Sequence, residues 1–118
     1  MDWPGAVAAT EEIEIQTSRG QDAPARRTTI WAVVDDGEVY VRSVRGDSGR
    51  WYREIVADPE AAVLLDGESV PVRAVPTPDA GSVDRMNAAL RHKYGDSSEL
   101  GSMLRDDVLH TTLRLERR

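Results

Sequence analysis

The residues best suited to chemistry are concentrated in one stretch, residues 42–53. It reads Arg-Ser-Val-Arg-Gly-Asp-Ser-Gly-Arg-Trp-Tyr-Arg, and its four arginines and one aspartate give it a charge of +3. The whole chain has a net charge of −6, so the remaining residues carry −9. Clustered cations repel each other, and guanidinium groups bind phosphate and carboxylate oxygens in a bidentate manner. The stretch therefore predicts an anion-binding site.

The local layout supports that prediction. A predicted strand ends at Ser43, two glycines let the backbone turn closely, and a predicted helix begins near Arg50. Helix N-termini offer unpaired N–H donors and a partial positive charge. We expect Arg45 and Arg50 to clamp a phosphate, with Ser43 or Ser48 adding a hydroxyl. The alternative is a solvated loop whose arginines pair with nearby acids.

Other chemical motifs are weak. The chain has no cysteine, which excludes disulfides, thiolate nucleophiles, iron–sulfur clusters and cysteine-bound zinc. The two histidines, His92 and His110, lie far apart, so a histidine-based zinc site lacks ligands and no metal is predicted. A haem-ligand role for His110 carries less weight than that of a partly exposed strand histidine. No serine has His–Asp partners nearby, and neither glycine-rich loop matches a P-loop or dinucleotide fingerprint.

Two predicted hairpins position the arginine-rich stretch. Residues 28–34 and 38–44 are rich in β-branched and aromatic residues and flank an Asp-Gly turn. Because the first run is apolar on both faces, we expect it to be a central strand. A second Asp-Gly turn joins residues 61–65 to residues 69–75, where Pro71 predicts an edge strand.

Helices and further strands complete the pattern. Residues 12–17 alternate like a half-buried strand, and residues 51–56 predict a short helix that stops before Pro59. A longer helix is expected from Thr77, as N-cap, to Gly95. Residues 96–107 predict at most a helical turn. A closing strand is expected over residues 109–115.

About six strands, mostly joined by hairpins, with two inserted helices favour a mainly β fold, a small antiparallel barrel with helices at its ends. A doubly wound parallel sheet would need strands and helices to alternate, and they do not. At 118 residues the chain fits one domain, residues 1–118, with residues 1–10 as an N-terminal helical or irregular extension.

Composition limits the partners. A pI near 4.9 argues against a nucleic-acid-binding protein, which would have a pI above about 9. No apolar run reaches the roughly 18–20 residues of a membrane span, and the N-terminus does not resemble a signal peptide. We therefore expect a cytoplasmic protein. A barrel this small buries only about 60–70 % of its unfolded surface, so pairing in a homodimer would add stability.

Several segments together resemble a known family. These segments are residues 29–34, 38–46, 49–53, 92–95 and 112–115. They are similar to an uncharacterised branch of the pyridoxamine 5'-phosphate oxidase-like (FMN-binding) split β-barrel superfamily, near the deazaflavin-dependent nitroreductases. The resemblance spans residues 10–116, nearly the whole chain.

The resemblance implies a six-stranded antiparallel split β-barrel, a homodimer, and FMN or a deazaflavin (coenzyme F-420) at the dimer interface. Its phosphate would meet Arg27, Ser43 and the Ser48-Gly49-Arg50 loop, where arginine stands in place of the oxidase's lysine. Thr29 and Trp31 would lie near the ring system. The complete set of expected cofactor-binding residues is Arg27, Thr29, Trp31, Ser43, Arg45, Gly46, Ser48, Gly49, Arg50 and Trp51.

The function implied is that of a small-molecule oxidoreductase. Hydride chemistry would belong to the cofactor, while the protein supplies position, electrostatics and water exclusion. No catalytic residue is assigned, and the oxidase's substrate-binding residues have no counterpart here. The alternative is a non-catalytic split-barrel dimer that binds another anionic ligand or a protein partner.

Overall fold

A computed structural model describes residues 2–18 and 24–118 of the chain. Within these residues there are seven strands: β1 (Ile13–Thr17), β2 (Arg26–Ile30), β3 (Ala32–Asp35), β4 (Glu38–Val41), β5 (Glu60–Leu65), β6 (Glu68–Pro76) and β7 (Leu113–Arg117). The α-helices are α1 (Trp3–Ala8), α2 (Arg50–Ala57), α3 (Ala80–Tyr94) and α4 (Leu100–Met103). Two 3-10 helices, Gly46–Ser48 and Asp106–Thr111, complete the described elements.

The antiparallel sheet bends at Trp31 so that its two ends meet. Its strand order is β2-β1-β5-β6-β7-β4-β3, which puts β2 and β3 at opposite ends. These two strands are consecutive in the chain and are separated by Trp31 alone. The first pairs with β1 and the second with β4. One bent segment therefore joins both ends of the sheet, and the result is the expected split barrel.

The run of residues 28–34 is not the central strand that its apolar character predicts. It supplies the end of β2 and most of β3, so six expected strands become seven. Its two faces are apolar for a different reason. Ala32 belongs to the barrel core, whereas Val33 packs in a second cluster with Met86 and Leu90 of α3. A helix covers the outer face, so both faces are buried.

Both Asp-Gly hairpins are confirmed. Asp36 and Gly37 have φ angles of 50° and 76°, and Asp66 and Gly67 have φ angles of 52° and 79°. Two successive positive φ values are typical of the type I′ turn, whose twist matches that of the flanking strands. The turns fix the register of β3 on β4 and of β5 on β6.

The barrel interior is filled by alternate side chains of its strands. Ile15, Val63 and Val72 are fully buried there. Trp51 and Ile55 of α2 belong to the same core, so this helix is anchored to the barrel by one apolar face. The predicted short helix is thereby confirmed, with its first residue at Arg50 and its last at Ala57.

Pro71 does not mark an edge strand, because β6 pairs with both β5 and β7. The Pro71 carbonyl accepts a hydrogen bond of 2.9 Å from Arg118 N, just beyond the end of β7. In an antiparallel strand the N–H and C=O of one residue face the same neighbour. The missing N–H of Pro71 therefore falls at the end of that ladder, where a proline is tolerated.

Helix α3 begins at Ala80, later than expected, because Asp79 rather than Thr77 is its N-cap. The Asp79 carboxylate accepts a hydrogen bond of 3.0 Å from Ser82 N. Thr77 instead donates its hydroxyl to Thr112 O at 3.2 Å. The competing partner at the end of β6 could not be seen in the local sequence.

The Asp79 cap predicts a pH effect. Hydrogen bonds from Ser82 lower the pKa of Asp79 in the folded state. Stability from this group is therefore present above its unfolded pKa, about 4, and is lost as the pH falls through the lower folded pKa. We expect Asp79→Asn, which keeps a capping oxygen, to reduce the fall of the urea midpoint below pH 4. If the urea midpoint of Asp79→Asn fell below pH 4 as steeply as that of the wild type, the prediction would be contradicted.

The closing strand starts later than expected. Residues 106–111 form a 3-10 helix. Thr111, its last residue, and Thr112, its C-cap, donate their hydroxyls at 2.7 Å to Val108 O and Leu109 O respectively. Strand β7 follows from Leu113. None of the described helices is long and apolar enough to cross a membrane.

Candidate functional site

The loop after β4, residues 42–49 (the arginine loop), is held in shape by its own serines. Ser43 donates its hydroxyl to Gly46 O at 2.8 Å, and Ser48 donates its hydroxyl to Arg45 O at 2.8 Å. Gly46 adopts a φ of 60°, a left-handed conformation that favours glycine. Both serine hydroxyls therefore organise the arginine loop from within.

A second set of contacts attaches this loop to the 3-10 helix of residues 106–111. Ser43 N donates to Thr111 Oγ1 at 3.0 Å. His110 Nε2 lies 2.7 Å from Asp47 Oδ1. His110 is thus outside the expected strand and touches the arginine loop.

Helix α2 begins directly from this loop, at Gly49. The first helical bond runs from Arg53 N to Gly49 O, and no side chain caps the N-terminus. The backbone N–H groups of residues 50–52 thus lack an acceptor within the helix, as at every helix start. Together with the helix dipole they form a site that favours an anion.

A cleft of about 700 Å³ lies against this helix start. That volume is within the roughly 300–1,000 Å³ of sites for small molecules and cofactors. Strand β2, the bend at Trp31, the arginine loop, α2 and α4 all contribute to its walls. The lining residues are Glu12, Arg26, Thr28, Thr29, Ile30, Trp31, Arg42, Ser43, Val44, Arg45, Ser48, Gly49, Arg50, Trp51, Arg53, Glu99 and Met103.

The cleft carries a surplus of positive charge. Five arginines and two glutamates line it. Among the described residues, the guanidinium groups of Arg45, Arg50 and Arg53 form no ion pair. The solvated-loop alternative required pairing with nearby acids, and for these three arginines that pairing is not present. Arg26 is the exception, since its Nε lies 3.7 Å from Glu54 Oε1.

Arg42 is the buried member of this set, with 1 % of its surface exposed. Its Nη1 donates to Asn87 Oδ1 at 2.7 Å and to Met103 O at 2.8 Å. Its Nε donates to Thr112 Oγ1 at 3.0 Å. All these acceptors are neutral, and burial lowers the pKa of Arg42 to about 10. The side chain therefore ties α3 and α4 to the barrel without a counter-ion.

Trp31 lines the cleft from an aromatic stack. Its ring lies 3.9 Å from the ring of Tyr94, centroid to centroid, at an interplanar angle of 6°. The Tyr94 hydroxyl donates to Glu11 O at 2.6 Å, and Lys93 Nζ donates to Ala32 O at 2.7 Å. Strand β3 and helix α3 are thereby held together behind Trp31. The stack makes the indole a fixed apolar surface in the cleft wall.

The structure brings most of the expected cofactor-binding residues into this one cleft. Eight of the ten line it: Thr29, Trp31, Ser43, Arg45, Ser48, Gly49, Arg50 and Trp51. Gly46 shapes the loop without lining the cleft. Arg27 lies on the other face of β2, where its Nε donates to Gln16 Oε1 at 3.3 Å. Arg26 lines the cleft instead.

Alternation along β2 explains the difference between the two arginines. Side chains two residues apart share a face, and Arg26 shares its face with the buried Ile30. Alternation predicts from the sequence that the two arginines lie on opposite faces, but not which of them faces the cleft. Nothing in the sequence pointed to Glu99 or Met103, which line the cleft only through the packing of α4, or to Glu54, which pairs with Arg26.

Substituting Gly49 should damage the loop. A Cβ at this position would collide with Ser43 Oγ. We expect Gly49→Ala to lower the free energy of unfolding by about 1–3 kcal/mol, measured by urea denaturation. Ser43→Ala in the same chain should recover part of that loss, because it removes the colliding oxygen.

Gly101 provides the matched control for that experiment. It is also a glycine, in α4, and a Cβ there would meet nothing within 4 Å. Gly101→Ala should leave stability unchanged or raise it by up to about 1 kcal/mol. Equal losses at Gly49 and Gly101 would contradict the steric argument.

Removing the Tyr94 hydroxyl should cost stability in a pH-dependent manner. Burial raises the pKa of Tyr94 to about 12. Above about pH 10 the unfolded chain ionises this tyrosine while the folded protein keeps it protonated, so stability falls as the pH rises. We expect Tyr94→Phe to lower the free energy of unfolding by about 1–2 kcal/mol at neutral pH and to flatten this alkaline decline.

Urea denaturation from pH 8 to pH 11 measures both effects. Burial, together with the nearby Asp47 charge, also raises the pKa of Tyr52. Part of the alkaline fall in stability should therefore remain in the Tyr94→Phe variant. The Trp31 stack needs only the phenyl ring, so the fluorescence of the folded protein should stay the same. An alkaline decline that is identical in both proteins would contradict the assignment to Tyr94.

The fold is that of a split β-barrel, as several solved structures show. ChuZ from Campylobacter jejuni superimposes with a TM-score of 0.76 at 10% identity, over 99% of this chain and 52% of that chain. An F420-H2 dependent reductase gives a TM-score of 0.65 at 14% identity, over 90% and 94%. A putative pyridoxamine 5'-phosphate oxidase from Listeria innocua gives a TM-score of 0.62 at 11% identity, over 97% and 87%.

Sequence comparison places the chain more narrowly. Residues 5–115 match the family described as "Uncharacterized protein conserved in bacteria (DUF2255)", and the chain belongs to that family. A search of curated proteins finds no match. Among residues 2–18 and 24–118, no group of three or more histidine, aspartate and glutamate side chains is arranged to hold a metal ion.

Proposed function

We propose that this protein binds a flavin or deazaflavin cofactor in the cleft and acts as a small-molecule oxidoreductase. The observation that carries the proposal is the arrangement of unpaired arginines around an uncapped helix start. A cleft of about 700 Å³ adjoins that anion site. The split-barrel fold supports the proposal, since structural relatives include an F420-H2 dependent reductase and a putative pyridoxamine 5'-phosphate oxidase.

The donor set fits a phosphate. Arg45 and Arg50 would hold its oxygens bidentately, and the N–H groups at the start of α2 would add neutral donors. Ser43 and Ser48 already donate their hydroxyls to loop carbonyls. Their part would be to fix the loop so that the arginines converge.

The other wall fits a planar ring. Trp31 presents an indole held by Tyr94, and Thr29 and Met103 line the cleft with it. A bound flavin or deazaflavin would supply the hydride chemistry. The protein's part would be to orient the ring against this wall and to exclude water from it.

Proton transfer has few candidates among the described residues. The lining contains no histidine or tyrosine, and its only carboxylates are Glu12 and Glu99. Tyr94 lies behind Trp31, and burial raises its pKa to about 12. The cleft is therefore built chiefly to bind and orient, and we assign no catalytic residue.

The homodimer belongs to the same proposal. One structural relative is described as a domain-swapped dimer, with a TM-score of 0.68 at 14% identity. Val44 lines the cleft and is 46 % exposed, an unusual position for a large apolar side chain. Covering it with a second copy would close part of the cleft. Sedimentation equilibrium at micromolar concentration tests this, and a clean monomer would count against a shared site.

Ligand titration tests the function directly. Purified protein is titrated with FMN, riboflavin and coenzyme F-420 and followed by ligand fluorescence. We expect saturable binding of FMN or the deazaflavin, and weaker binding of riboflavin, which lacks the phosphate. If neither FMN nor the deazaflavin binds, the oxidoreductase proposal fails and the non-catalytic alternative is favoured.

A further inference from the structure

The charge surplus of the cleft extends beyond the place where one phosphate would bind. Arg45 and Arg50 line the cleft next to the first N–H groups of α2, where the proposed phosphate would bind. Arg53 also lines the cleft and has no ion pair among the described residues. It lies three residues after Arg50, so the two side chains leave neighbouring positions on one helix face. One phosphate at the helix start would leave Arg53 without a partner.

Arg26 approaches the same part of the cleft from β2. Its Nε faces Glu54 Oε1 at 3.7 Å. In the part of the chain that the structure describes, Arg26 has no other ion pair. Arg26 and Arg53 both line the cleft, so the two side chains reach it from β2 and from α2. Their charges exceed that of Glu54 by one.

Glu54 explains the position of Arg26 but contacts only one side of its guanidinium group. The side chains of Arg26 and Glu54 are 23% and 15% exposed. Both carboxylate oxygens of Glu54 are buried without a hydrogen bond. A buried carboxylate needs a nearby cation, and Arg26 supplies it at ion-pair distance. The guanidinium is therefore fixed at the cleft edge with its Nη side available.

We propose that the ligand carries a second anionic group, separate from the phosphate at the helix start, and that Arg53 and Arg26 bind it. This inference rests on the proposed function and narrows its ligand class. A carboxylate or a second phosphate has the required chemistry, since guanidinium groups bind both through paired N–H donors. A ligand with only one phosphate would use part of the site.

Matched ligand pairs test the inference. Riboflavin 3',5'-bisphosphate and FMN share the ring and the ribityl chain and differ only by a second phosphate. Coenzyme F-420 and its precursor without glutamyl carboxylates differ by the acidic tail. In each pair, dissociation constants are measured at low and at high salt. We expect the member with the extra anion to bind about 5- to 10-fold more tightly in at least one pair, with the gain shrinking at high salt. If the flavin pair shows this gain, the second anion is a phosphate; if the deazaflavin pair shows it, the second anion is a carboxylate.

Arg53→Gln is the decisive variant, since Arg53 is exposed and its loss should not unfold the protein. It should lower the affinity ratio within the responsive pair clearly below the wild-type value, and the gain that remains is the part contributed by Arg26. Arg91→Gln is the matched control, because Arg91 is exposed on α3 outside the cleft and changes the net charge equally. That variant should keep the wild-type ratio.

Two failures have different meanings. If FMN and the deazaflavin precursor bind but neither extra anion improves affinity, or Arg53→Gln keeps the ratio, the second site is wrong and the proposed function stands. If no ring compound binds at all, the proposed function itself is wrong.

Discussion

Replacing Arg42 with alanine is expected to lower the free energy of unfolding by about 3–5 kcal/mol. The substitution removes a large buried side chain and leaves a cavity. It also leaves Met103 O and the Asn87 amide without their 2.8 and 2.7 Å donors. Buried acceptors that lose a partner cost about 1–3 kcal/mol each.

Arg42→Met separates the two contributions. Methionine fills most of the volume, so the cavity term is small, while the acceptors still lose their donors. Removing a buried charge that has no counter-ion offsets part of that loss. We expect a smaller destabilisation than for alanine, about 1–3 kcal/mol.

Urea denaturation of both variants checks the prediction, and Arg91→Met provides the exposed control. A surface substitution of this kind should change stability by less than about 0.5 kcal/mol. If Arg42→Met were as stable as wild type, the guanidinium would not be what holds α3 and α4 to the barrel. The α4 wall of the cleft, including Met103, would then need another explanation.

Local sequence signals predicted the elements that depend on local chemistry. The Asp-Gly pairs require positive φ angles at successive residues, so both hairpins follow from their turns. The helix beginning at Arg50 follows from apolar residues spaced four apart and from Pro59 after it. The arginine cluster also lies on one continuous stretch of sequence, so its location was visible before any fold was known.

Tertiary packing determined the features that local sequence signals could not predict. Burial of both faces in residues 28–34 has two causes, a central strand or a strand covered by a helix, and they look the same in the sequence. The start of α3 depends on Thr112, which takes the Thr77 hydroxyl from across the fold. Strand residues 26 and 27 are both arginine, and which one enters the cleft depends on the register with β1.

The role of Arg42 was the least visible in the sequence. It belongs to the same charged stretch as Arg45 and Arg50, and all three are candidate anion ligands by residue type. The fold buries it among neutral acceptors, where it holds secondary structure together. Its partners lie 41–70 residues away in the chain, so no local pattern reports them.

Arg50→Ala is expected to lower the affinity for FMN or the deazaflavin coenzyme by about 10- to 100-fold without changing the fold. Arg50 is exposed at the first position of α2, lines the cleft and has no ion pair among the described residues. Its loss therefore breaks no ion pair among the described residues. Hydrogen bonds to a charged group contribute about 1.5–3 kcal/mol, which corresponds to this range of affinity.

Three comparisons make that result specific to the phosphate. Riboflavin lacks the phosphate, so its affinity should be nearly the same for wild type and Arg50→Ala. Arg50→Lys keeps the charge but not the planar fork, and should lose part of the affinity. Arg91→Ala removes a cation elsewhere and should lose none. Equal losses for FMN and riboflavin would place Arg50 against the ring, and an unchanged FMN affinity would remove it from the site. Because only a loss confined to the phosphorylated ligand places Arg50 at the anion, this one substitution decides whether Arg50 of the arginine loop binds the phosphate.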